Sequence, residues 1–184
     1  FAGRSQGLLM WMSNPAWPST VWQTYDSRYD INGGFQGCRD GCRSVNAVYD
    51  VLREEIALIN ATGTARTLVL TMELYDLRGN LLRREALTRK TPPDYAEYVM
   101  EAPRWMNKVQ LLRLTVLEDG EAPVVNHYWL NGWAHTDYRD LLSLPTVCLA
   151  GRLEQTGTGF LAEIENPGTA PALMTELRLK DPDT

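Results

Sequence analysis

Residues Thr67–Leu74 constrain this chain more than any other stretch. Leu68, Leu70, Met72 and Leu74 occupy alternate positions, separated by Thr67, Val69, Thr71 and Glu73. Successive side chains of an extended chain point to opposite faces, so this pattern predicts a strand with one face buried. Such a strand is not stable alone and must belong to a sheet that packs on something. Asp76-Leu77-Arg78-Gly79-Asn80 is a turn, after which Leu81–Leu87 can pair back as a hairpin. Further strands are predicted at Asp94–Glu101, Val109–Leu117 and Val124–Leu130, with Glu118-Asp119-Gly120-Glu121 turning between the last two. Short strands with turns about ten residues apart predict a mainly β chain built on a two-sheet sandwich of immunoglobulin type.

The bulk composition narrows the function classes. The 184 residues are 44% apolar and 22% charged, with a net charge of −5. That is a globular composition, neither disordered nor collagen-like. Charge is spread as +1 over residues 1–44, −3 over 45–145 and −3 over 146–184, so no basic patch offers a footprint for nucleic acid. No apolar run approaches the ~18 residues of a membrane-spanning helix.

The two ends read differently from the middle. Gly7-Leu8-Leu9-Met10-Trp11-Met12 is an unbroken apolar run closed by Ser13-Asn14-Pro15. It predicts a strand buried on both faces, as in parallel sheets covered by helices. No second parallel strand is available to pair with it. Phe35, Cys38 and Cys42 then recur at helical spacing, which predicts a short helix from Phe35 to about Arg43. Gly37 and Gly41 weaken it but would permit close packing on a sheet. Asp140–Pro145 reads as a linker, followed by strand candidates at Thr146–Leu153, Gly159–Glu165 and Ala172–Leu179. The chain starts at Phe1 and ends on a turn-like Asp181-Pro182-Asp183, so both ends are expected to be cut from something longer.

Three cysteines, Cys38, Cys42 and Cys148, do not describe a disulfide framework. They are expected to be small buried hydrophobes. His127 and His135 lack metal-ligand spacing, so no metal site is expected. Asn60-Ala61-Thr62 fits the glycosylation sequon, a pattern common by chance.

Gly7-Leu8-Leu9-Met10-Trp11-Met12-Ser13-Asn14-Pro15-Ala16-Trp17-Pro18-Ser19 resembles the last barrel strand of glycoside hydrolase family 2, in the branch of exo-β-D-glucosaminidases and β-mannosidases. Trp22, Tyr25-Asp26 and Gly33-Gly34-Phe35-Gln36-Gly37 resemble the strand-to-helix connection that follows. Asn126-His127-Tyr128-Trp129-Leu130, with Asp137-Tyr138 and Leu144-Pro145, resembles the end of the sandwich behind the barrel. The resemblance implies three parts. Residues 1–44 would be the last strand and helix of a (β/α)8 barrel, residues 45–145 an immunoglobulin-like sandwich, and residues 146–184 the start of a second, truncated sandwich.

Retaining glycosidases place two carboxyl groups about 5 Å apart across the scissile bond. In this family both precede the strand present here, so no catalytic residue is carried over and the chain alone is expected to be inactive. Asp26 and Asp30 make a poor substitute pair, because nothing near them suggests the burial that raises an acid's pKa. The resemblance assigns Trp11 the platform under the sugar and lets Asn14 and Trp17 line the same pocket. Pro15, where the family more often has Asn, sets this loop apart. The family's strand often holds a non-proline cis peptide after this tryptophan. Trp22, Trp105 and Trp129 are expected to pack.

The expected activity of the intact parent is retaining hydrolysis of terminal β-linked glucosamine, mannose or a related sugar. No cofactor is implied. The implied partners are carbohydrate and the rest of the barrel, with neither nucleic acid nor membrane. Leu8–Met12, left without neighbours, would pack on the sandwich, pair with another copy or be loose. Polymer-degrading relatives imply a secreted or periplasmic location. The alternative is a non-catalytic sandwich that binds carbohydrate or protein through Trp129 and Trp133, and a third reading is a structural spacer.

Overall fold

A computed structural model describes residues 9–19, 23–103, 108–131 and 137–177. Gly7, Leu8, Trp22, Trp105, Trp133 and His135 lie outside these. The chain forms two compact units. One comprises Phe1–Glu73, Arg83–Arg104 and Leu112–Tyr128, the other Leu74–Leu82, Trp105–Leu111 and Trp129–Thr184.

Seven strands build the predicted sandwich: β1 (Val45–Asp50), β2 (Glu55–Asn60), β3 (Arg66–Tyr75), β4 (Leu81–Thr91), β5 (Tyr95–Glu101), β6 (Gln110–Leu117) and β7 (Val124–Leu130). One sheet has the order β1-β2-β5 and the other β4-β3-β6-β7. β4 therefore stays beside β3 instead of crossing to the first sheet, as the fourth strand does in constant-type immunoglobulin domains. β1 pairs antiparallel with β2 in an unbroken register from Val45↔Asn60 to Asp50↔Glu55. β2 pairs antiparallel with β5, and the register shifts between Ile56 and Ala57, leaving Val99 unopposed as a bulge.

The alternation of β3 is realised as read. Leu68, Leu70 and Met72 are fully buried and Leu74 nearly so, while the intervening residues are half-buried or exposed. β6 repeats the pattern with Leu112, Leu114 and Val116. Ile56, Ala57 and Leu58 of β2 are buried in succession, without alternation.

Polar groups close the ends of the sandwich. Asn46 and Asn126 are buried, and Asn126 Nδ2 donates to Asn46 Oδ1 at 2.6 Å and to the Ala47 carbonyl at 2.8 Å, tying β7 to β1. Asn60 is fully buried. Its Nδ2 donates to the carbonyls of Thr64 and Pro92 and to Thr91 Oγ1, and its Oδ1 accepts from the Thr62 amide and hydroxyl. The sequon asparagine is thus a plug between β2 and the end of β4. A buried amide keeps its place only when its donors and acceptors are met, and this one meets them all through protein.

The first hairpin was not anticipated strand by strand, and its turn shows why. Val51 and Leu52, both apolar and exposed, stand where Gly, Pro or Asn would mark a turn. Asp50 makes the turn instead, its Oδ1 accepting from the amides of Leu52 at 2.9 Å and Arg53 at 3.2 Å. The Tyr98 hydroxyl donates to the other carboxylate oxygen at 2.6 Å, which holds the Asp50 carboxyl below its usual pKa.

Three expectations for the flanks change. Leu9–Met12 is not a strand. Leu9 is 99% exposed and Trp11 74%, because among the described residues no strand pairs with this run. The Trp11–Met12 peptide is trans, and Met12 has φ 61°. A helix forms as predicted, α1 (Gly33–Gly41), started by Asn32 Oδ1 accepting from the Phe35 amide. A Cβ at Gly37 or Gly41 would meet nothing within 4 Å among the described residues. Cys38, Cys42 and Cys148 are free and exposed, not buried; Cys38 lies on α1, which buries none of its residues.

In the second unit, β8 (Ala150–Thr156) and β9 (Gly159–Glu165) form an antiparallel hairpin with every residue exposed. The third strand expected at Ala172–Leu179 is absent among its described residues. Met174 takes φ 51°, which an extended strand cannot contain. Asp140–Pro145 is not a plain linker, because Arg139–Ser143 forms a short 3-10 turn.

Candidate functional site

The residues assigned to the sugar site lie in the loop before α1. Ser13 is its anchor. The Ser13 carbonyl accepts from the Tyr25 amide at 3.0 Å and from Thr24 Oγ1 at 3.3 Å. Thr24 Oγ1 also lies 3.7 Å from Met10 Sδ. Asn14 is half-buried, with Ser13 Oγ donating to its Oδ1 and its Nδ2 donating to the Pro15 carbonyl. Pro15 itself is buried. The loop is therefore held at Ser13–Pro15, and the indoles on either side of it, Trp11 and Trp17, are 74% and 70% exposed. Exposed indole faces suit pyranose rings, whose axial C–H groups pack on flat apolar surfaces.

Asp26 does different work from a catalytic acid. Its Oδ1 accepts from the amides of Arg28 at 2.7 Å and Asp30 at 2.9 Å, while its own amide donates to the Asp30 carbonyl. Tyr29 has φ 65° inside this turn, and Tyr25 bridges to Ile31 across it. Asn32 Nδ2 donates to the Gln23 carbonyl at 2.6 Å, and the Tyr25 and Phe35 rings meet at 5.3 Å, so the turn leads straight into α1. Pro18, Ser19, Asp26, Ser27, Arg28 and Asp30 line a cleft of about 220 Å3.

On β7, His127 titrates below its ordinary pKa, first through partial burial and then through the nearby Arg113 charge. Trp129 is half-buried. Its proposed companion Trp133 lies outside the described residues. Among the described residues no three His, Cys, Asp or Glu side chains gather as a metal site, and no helix is long and apolar enough to cross a membrane.

This arrangement is an immunoglobulin-like sandwich carrying an aromatic loop, and the comparisons place it among known folds. The crystal structure of Amycolatopsis orientalis exo-chitosanase CsxA matches with a TM-score of 0.71 at 20% identity, over 87% of this chain and 22% of that one. At that identity the match establishes the fold. In sequence, the chain is 28% identical over 199 residues to an exo-β-D-glucosaminidase of Arthroderma benhamiae, covering 95% of this chain. It is 28% identical over 209 residues to one of Hypocrea jecorina, again over 95% of the chain. The chain spans 22% and 23% of the length of these two curated relatives. No family model matches. The resemblance to exo-β-D-glucosaminidases thus extends over nearly the whole chain, including the segments between those that carried it in the sequence.

Proposed function

We propose that this chain is part of a retaining β-glycosidase that removes terminal β-linked sugars, glucosamine first and mannose or a related sugar second. It would supply one wall of the sugar site, with Trp11 as platform and Asn14 and Trp17 beside it. Residues 1–44 would be the end of the catalytic barrel, 45–145 the sandwich behind it and 146–184 the beginning of another. The observation that carries this reading is similarity to exo-β-D-glucosaminidases across 95% of the chain, coupled to two exposed indoles on the anchored loop.

The catalytic acid and nucleophile would come from the remainder of the larger protein. Asp26, the nearest tempting carboxylate, is committed to its turn. The exposed Leu9–Met12 stretch would be covered by the rest of the barrel, and in the isolated chain it would drive self-association. Similarity to fungal exo-β-D-glucosaminidases supports a secreted or periplasmic location. Half-burial of Trp129 supports packing over carbohydrate binding on the sandwich.

The test is activity on an aryl β-glucosaminide. The 184-residue chain should show no turnover, and turnover would overturn the assignment of the carboxylates elsewhere. In the longer protein, Trp11→Ala should lower kcat/KM at least tenfold while leaving its folding unchanged. An unaltered kcat/KM would remove Trp11 from the site.

A further inference from the structure

We propose that a polar seam between α1 and the sandwich holds the wall of the sugar site in place, with Arg43 as its positioning residue. The inference rests on the reading of Trp11 as the sugar platform. All the residues of the seam belong to one compact unit.

The seam begins in the last turn of α1, where helix carbonyls have no partner further along the helix. Asn46 Nδ2, on β1, donates to the Asp40 carbonyl at 2.8 Å. Asn46 is buried, and its Oδ1 accepts from Asn126 Nδ2 on β7 and from the Ala47 amide. Arg43 adds a second link. Its guanidinium meets Asp40 Oδ1 through Nη2 at 2.9 Å and donates from Nη1 to the Val125 carbonyl on β7 at 3.3 Å. β1 and β7 each end the strand order of their sheet, so the end of α1 is fastened to both sheets at once.

The start of α1 is fastened to the aromatic loop. Asn32 donates from Nδ2 to the Gln23 carbonyl at 2.6 Å and from its amide to the Thr24 carbonyl at 3.4 Å. Thr24 is buried, and its hydroxyl and the Tyr25 amide both donate to the Ser13 carbonyl. One helix and a run of hydrogen bonds thus link Val125 and Asn126 to the loop between Trp11 and Trp17. A platform works by holding its face where the ring will sit, and a small displacement of such a group costs rate. Arg43 is the member of the seam that can be changed without opening the sandwich interior, because its side chain is one-third exposed.

The first arm of the test uses the 184-residue chain. Arg43→Gln should speed amide exchange across Gly33–Gly41 and at Tyr25 at least threefold, with exchange in β3 and β6 unchanged. Lysine carries its charge on one nitrogen in place of the two that face the two acceptors, so Arg43→Lys should match Arg43→Gln. Unchanged exchange in α1, equal acceleration throughout the sandwich, or full restoration by lysine would overturn the proposal. The second arm uses the longer protein and an aryl β-glucosaminide. Arg43→Gln should lower kcat/KM at least threefold, and the pair Trp11→Ala with Arg43→Gln should be no worse than Trp11→Ala alone, because Arg43 acts through the platform. Additive losses, or a loss in Trp11→Ala with none in Arg43→Gln, would overturn the proposal and leave the sugar site standing. An unchanged kcat/KM in Trp11→Ala would instead overturn the sugar-site reading on which it rests.

Discussion

Asn60 shows how one residue can carry two readings. As part of Asn60-Ala61-Thr62 it is a glycan acceptor, and as a fully buried amide with five hydrogen bonds it is a structural plug. The geometry decides, because the nitrogen that would carry the glycan points at Thr64, Thr91 and Pro92. Asn60→Ala removes these five bonds, among them that to the buried Thr91 hydroxyl, and should cost about 1–3 kcal/mol in urea unfolding. His127 gives a pH dependence at the same scale. Its folded pKa lies below the ordinary 6.5, so the fold favours the neutral ring. Its contribution is therefore complete above pH 6.5 and is lost as pH falls through the lowered folded value. The urea midpoint should drop on acidification below pH 6.5, and His127→Gln should flatten that part of the profile.

Turns and caps decide which elements can be read from the chain. Asn32 lies before the helical spacing of Phe35, Cys38 and Cys42, yet its side chain starts α1. Asn32→Ala should destabilise that helix by about 1 kcal/mol, seen as faster amide exchange across Gly33–Gly41. Gly79 was placed in a turn correctly, and its backbone has φ 80°, where a Cβ would sit 2.6 Å from the Thr169 carbonyl oxygen. Gly79→Ala should cost at least about 1 kcal/mol, measurable by thermal unfolding. β3 and β6 were legible because their buried faces alternate. β1 and β2 were not, because Val51 and Leu52 disguise the turn and Ile56-Ala57-Leu58 break the alternation. Ala172–Leu179 erred the other way. Its apolar residues suggest a strand, but Met174 at φ 51° interrupts it.

At the scale of the molecule, buried apolar surface is concentrated in the sandwich. Its strands hold nearly all of the fully buried large side chains, whereas β8 and β9 bury none. A two-stranded hairpin is marginal by itself. Hydrogen exchange should therefore protect β2, β3 and β6 by orders of magnitude more than β8 and β9, and equal protection would contradict this distribution. The proposed wall of a sugar site rests on the exposed indoles, the anchored loop and similarity to relatives more than four times as long.

The sequence by itself determined a half-buried strand at Leu68, Leu70, Met72 and Leu74, and the repeated short strands and turns around it pointed to the sandwich, while the aromatic loop carried the resemblance to exo-β-D-glucosaminidases. Local chemistry is enough for both, because alternation and a run of Trp, Asn and Pro are written in neighbouring residues. Only the tertiary structure decided that β4 stays beside β3, that Asn60 is sealed, that the cysteines face solvent and that Leu9–Met12 is not a strand. Each depends on what lies across space, a partner strand, a facing carbonyl or a missing neighbour, and no local pattern records that.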